Sequence, residues 1–124
     1  MLSALHNRAY QDFIGLLTGF DNFIGSVQNQ NNLDAIKQEF ARLQNWFVSH
    51  ISNLDESGIN KAYIPRWRSI QREINREFKL LTTDILFLAS ARQETTKTKR
   101  LKTIGDRLAK LTSYCHGILQ ETQN

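Results

Sequence analysis

"DILFLASARQETTKTKRLKTI", residues 84–104, decides how many helices this chain has. Before it runs an apolar stripe of helical spacing, Trp67, Ile70, Ile74, Phe78, Leu81, Ile85 and Leu88. After it runs another, Leu101, Ile104, Leu108, Leu111, Cys115 and Ile118. Neither glycine nor proline separates them, so a single long helix has to be tested. At about 100° per residue, the thirteen steps from Leu88 to Leu101 put the stripes roughly 140° apart on one cylinder. One helix would therefore point its two halves at different neighbours. A break near residues 92–97, with Thr95 or Thr96 as the cap of the next helix, lets both stripes face one core.

The first half has the same periodicity. Phe13, Leu17, Phe20, Ile24 and Val27 step by four and three, with Leu2, Leu5, Ala9 and Leu16 on the same side. "QNQNN" (28–32) interrupts with turn-prone residues; Asn32 suits an N-cap and Asp34 the first helical turn. Leu33, Ile36, Phe40, Leu43, Phe47, Ile51 and Leu54 make the second stripe, which stops at "DESG", where Gly58 can supply a helix-terminating conformation. Pro65 suits the first turn of the third helix. The reading is an all-α, antiparallel up-and-down four-helix bundle, one domain over 1–124, with helices at about 2–28, 33–54, 65–91 and 97–119 and a frayed polar tail. Helices of this length are rods of about 30–40 Å at ~1.5 Å per residue, and short connections make neighbours antiparallel.

At 124 residues, with 40% hydrophobic and 23% charged side chains, the chain can bury a single core. The longest apolar run, Ile85 to Ala89, is far short of the ~20 residues a spanning helix needs, and "MLSALHNRAYQDF" has no signal-peptide pattern. One cysteine makes no internal disulfide. A cytoplasmic protein without membrane contact is expected.

Spacing speaks against catalysis or a bound metal. His6, His50 and His116 lie far apart, without the i, i+4 ligand pairs of a helix-borne zinc site or the Glu-x-x-His of a di-iron bundle. Cys115 and His116 are adjacent, so on a helix they diverge by about 100°, and Cys115 lies on the core stripe. Neither Arg42/His50 nor Arg107/His116 has the four-to-six-residue spacing of a HEPN-type ribonuclease. Gly15-Leu-Leu-Thr-Gly19 is a small-xxx-small pattern rather than a phosphate loop, and it suits close helix packing. No enzyme and no cofactor are expected.

Charge is the remaining signal. The net +4 is divided unevenly: residues 1–60 sum to −3, residues 61–79 to +4 and residues 92–110 to +5. Arg68, Arg72 and Arg76 recur every four residues, followed by Lys79, and form one ridge of the third helix. Lys99, Lys102 and Lys110 lie on the outer side of the fourth, with Arg92, Lys97, Arg100 and Arg107 nearby. Such a face is either the solvated side of a packed helix or a contact for an acidic partner. Nucleic acid would follow the phosphate-binding logic of an arginine ridge, but the interleaved aromatics of single-strand binders and a helix-turn-helix spacing are missing. Leu80 and Phe87 lie off the core stripe of the third helix, with Leu86 on its other flank. Trp46, off its own stripe, could extend them into a patch for another subunit or a partner.

The strings "DILFLASARQ" (84–93), "RLKTIGDRL" (100–108) and "YCHGIL" (114–119), in that order, resemble the cyanobacterial heterocyst frequency control (PatD) family. The likeness covers about the last 45 residues. It implies a cytoplasmic, non-enzymatic regulator that acts through the tubulin-like division protein FtsZ on how often cells become heterocysts, with no catalytic residues to carry over. Combined with the charge map, Arg92, Lys99, Arg100, Lys102, Arg68, Arg72 and Arg76 become the candidate FtsZ contacts. Leu80, Phe87 and Trp46 are the candidate homodimer or partner patch, and a nucleic-acid-associated bundle is the alternative.

Overall fold

The computed structural model describes residues 2–27 and 33–121. Four helices hold the chain: α1 (Ala4–Val27), α2 (Leu33–Phe47), α3 (Ile64–Ser90) and α4 (Glu94–Glu121). A single π-helical turn, Val48–Ser52, extends α2, and a short 3₁₀ turn, Lys61–Tyr63, leads into α3. There is no strand among the described residues.

Direction follows from which side chains meet. Phe13 of α1 lies 5.3 Å from Phe47 of α2, whereas Phe20 lies 5.8 Å from Phe40, ring centre to ring centre. Advancing along α1 thus means retreating along α2. On α3, Gln71 reaches Ile51 while Phe78 stacks on Phe40, so that pair is antiparallel as well. Each helix packs on its neighbours in chain order, α4 closes back on α1, and α3 with α4 share the most extensive interface. The architecture is the antiparallel four-helix bundle that the periodicity predicts.

The break between α3 and α4 is real but sits earlier than expected. Ala91 is extended (φ −71°, ψ 132°) and its N–H reaches Leu88 O at 3.2 Å, which ends α3. The new helix begins at Glu94, with Lys97 N–H on Gln93 O at 3.0 Å. Thr95 and Thr96 therefore sit inside the first turn and cap nothing. A carboxylate at the positive end of a helix is favourable, and Glu94 occupies that place.

Other boundaries move for similarly local reasons. The α2 segment ends at Ser52 rather than Leu54, because the helix widens into a π turn and Leu54 N–H then closes on Ile51 O at 3.1 Å. Gly58 does take a positive φ, 84°, but inside the α2–α3 connection. There it stands between Glu56 O and Ile59 N–H, and a Cβ would meet Ser3 Cβ at 3.1 Å. Pro65 is in the first turn of α3, as its fixed φ favours. At the other end α4 runs on through Gln120 to Glu121. The expected Asn32 cap, the "QNQNN" turn and residues 122–124 lie outside the described residues.

All four stripes supply the core, including Phe13, Leu17, Phe47, Ile74, Leu81, Ile104 and Leu111, each at most 5% exposed. Two residues expected among them are not there: Leu5 and Leu16 are 69% and 40% exposed, on the edge of the α1 stripe. Nor does any helix pack on Gly15 and Gly19. Both are exposed, and a Cβ built on either would have nothing within 4 Å. The core also has a polar seam. Trp67 Nε1 donates to Tyr10 Oη at 2.8 Å, Tyr10 Oη donates to Gln71 Oε1 at 2.7 Å, and Gln71 Nε2 donates to Ile51 O at 2.8 Å. The chain of bonds satisfies side chains from two helices, α1 and α3, and a carbonyl at the π turn.

Candidate partner-binding surface

The basic segments of the sequence come to lie on α3 and α4, and the helices sort them into spent and unspent charge. Arg107 is spent. It sits in the α3–α4 interface beside Asp84, with its Nη1 3.3 Å from Glu77 Oε2. Lys110 is drawn inward too, its Nζ 3.3 Å from Glu77 Oε1. Glu77 is only 1% exposed and Asp84 is also buried, so both acids depend on these cations for their charge to be tolerated. Burial works against the charge on Arg107, but hydrogen bonds and attraction from Asp84 and Glu77 outweigh it and raise the guanidinium pKa. Lys110 does stand on the outer side, its side chain 55% exposed, but its ammonium is committed to the buried Glu77.

Signals for this cluster were present. Glu77 and Asp84 are seven apart, in phase with Ile74, Leu81 and Leu88, and Arg107 and Lys110 are three apart on α4. Read by helix alone, Glu77 is a flanking acid among arginines; read across helices, it is a buried partner.

The candidate contacts divide accordingly. Arg68 is exposed but bound to Glu56 of the α2–α3 connection through Nε at 2.7 Å. Arg76 touches Glu73 at 3.5 Å, too long to hold it firmly. Lys97 reaches Glu94 at 3.6 Å. Arg100 is half-buried, its guanidinium carbon 4.7 Å from the centre of the Phe87 ring. Arg72, Lys79, Arg92, Lys99 and Lys102 are exposed and make no ion pair among the described residues. The ridge Arg68–Arg72–Arg76 forms as expected. Of the five cations in "KTKRLKTIGDRL" (97–108), Lys99 and Lys102 face solvent unpaired.

The apolar patch is only partly assembled. Phe87 (47% exposed) and half-buried Leu80 share the α4-facing flank of α3, while Leu86 (60% exposed) points about 100° away. Trp46 does not join them. It is half-buried against α1, its ring 5.9 Å from Phe13 and stacked 4.6 Å from His50.

The groups considered for chemistry are dispersed. His6 is buried at one end of the bundle, with Nε2 2.7 Å from Asp55 O, Nδ1 2.6 Å from Ser3 Oγ, and its ring edge-on to Trp67. His50 and His116 are exposed on other helices. Cys115 is buried in the core, which pushes its thiol up to about 12. Among the described residues no three His, Cys, Asp or Glu side chains cluster as metal ligands, and no helix is long and apolar enough to cross a membrane. Comparison with protein families, with curated proteins and with solved structures finds no significant match.

Proposed function

We propose that this chain is a non-enzymatic cytoplasmic regulator that binds acidic surface on FtsZ through the outer sides of α3 and α4, alters its assembly, and so affects heterocyst frequency. One observation carries the docking surface: Arg72, Arg92, Lys99 and Lys102 stay exposed and unpaired although the same two helices bury acids that other cations neutralise. An exposed charge with no ion pair has no partner within the fold to give up and remains available to an incoming acidic surface. The three strings of the second half that resemble the PatD family supply the identity of the partner. Two of them, 84–93 and 100–108, contain or border Arg92, Lys99 and Lys102.

The test is co-sedimentation of the purified chain with FtsZ filaments from the same organism, with plain duplex DNA as competitor. Pelleting that DNA does not abolish is the expected result. DNA binding without pelleting, weakening steeply as salt rises, would replace this reading with the nucleic-acid one. Absence of both would leave the basic sides as solvated helix faces.

A further inference from the structure

The α1–α2 layer, opposite the basic one, has an apolar surface of its own. A groove of about 520 Å³ runs between Gly15, Leu16 and Phe23 of α1 and Leu43 and Trp46 of α2. A second, of about 470 Å³, continues beyond Trp46 towards Leu5 and Leu54. Trp46 stands between them as a fixed wall, since stacking on Phe13 and His50 holds its ring. Leu5 and Leu16 project at the edge, uncovered.

The charges along this surface are few and balanced. Arg8 pairs with Asp12 at 3.8 Å on α1, and Arg42 with Glu39 at 3.4 Å on α2. Two positive and two negative groups give a rim of zero net charge in which each sign has the other beside it. A surface of one sign would repel its own copy, whereas this one can meet itself with cations over anions. The opposite layer fails that condition, because Arg72, Arg76 and Lys99 would face arginines and lysines of the same kind. Size agrees: two adjacent helices, ~30 Å long and ~10 Å apart, offer close to the ~800 Å² per partner of a stable interface.

We infer that a second copy of this chain covers the α1–α2 face, layer on layer about a two-fold axis, with Leu5, Leu16 and the Trp46 wall at its centre. The dimer leaves both basic layers outward. It uses none of the proposed FtsZ contacts, so it stands or falls independently of that reading.

Sedimentation equilibrium of the full chain tests it. A dimer of twice 14.4 kDa, with a Kd below roughly 100 µM, is expected. The double variant Gly15→Arg/Gly19→Arg should raise that Kd at least tenfold while the chain stays folded. A Cβ at either exposed position meets nothing within 4 Å in the monomer, and glycine is the poorer helix former. Leu86→Ser/Phe87→Ser, on the other layer, should leave the dimer unchanged. A chain that is monomeric at that concentration overturns the inference. So does a dimer that tolerates both arginines, or one lost through Leu86 and Phe87 instead.

Discussion

Arg107 and Lys99 have the same charge and lie eight residues apart, yet replacing them should have opposite consequences. Arg107→Ala leaves Asp84 without its cation and Glu77 with only Lys110, inside an interface where water cannot make up the loss. Breaking such a pair costs about 3–5 kcal/mol; with Arg107 a quarter exposed the lower end applies. Lys99→Ala, fully outward, should stay within ~0.5 kcal/mol. Urea unfolding of the two variants checks this, and equal midpoints would mean the cluster does not hold α3 to α4. The sequence made Arg107 look like its neighbours because sign is written in one residue while its partner stands on another helix. Cys115 is the contrary case, since its place on the stripe already marked it as core. With the thiol pushed to about 12, only about one molecule in ten thousand is thiolate at pH 8. Iodoacetamide should leave native protein unlabelled at that pH and label it fully in urea. Rapid native labelling would show the α4 core face to be open.

At the scale of elements, apolar phase predicts which segments are helical and how they face, but it is silent on how they end. The 140° mismatch between the stripes shows that a break separates α3 from α4, whereas its position depends on a choice of helix start among Glu94, Thr95 and Thr96. Those polar residues differ by tenths of a kcal/mol as helix starts, less than one turn of packing can override. The π turn at Val48–Ser52 was not legible at all. Nothing in "VSHIS" demands it; its reward comes from Gln71, on another helix, whose amide donates to Ile51 O while accepting from Tyr10. Gln71→Leu removes both bonds and leaves buried polar atoms short of partners, at a cost of about 2 kcal/mol. Thermal unfolding should fall by roughly 5–10 °C. If Gln71→Leu melts with the parent protein, the seam contributes nothing, and the π turn needs another cause.

For the whole molecule, what matters is that its layers differ in charge, and that the difference is not the one a count gives. Residues 92–110 sum to +5, but Arg107 and Lys110 neutralise buried acids on α3, and Lys97 reaches Glu94. The outward field around the α3–α4 turn therefore rests mainly on Arg92, Lys99, Arg100 and Lys102, and Arg100 is committed to Phe87. Reversing Arg100 would uncover that ring and forfeit a cation–π contact of about 0.5–1 kcal/mol, mixing a change of fold with a change of charge. Lys99→Glu/Lys102→Glu avoids this and should leave the melting temperature within error. It exchanges two positive charges for two negative ones on the proposed docking surface, so affinity for FtsZ filaments should drop at least tenfold at low salt. The parent's advantage should shrink as ionic strength rises towards 0.15 M, where charges more than ~8 Å apart are largely screened. A co-sedimentation series across salt, run on both proteins, measures this directly. Full binding by the double variant at every salt concentration would remove α4 from the contact and leave the arginine ridge of α3 as the place to look.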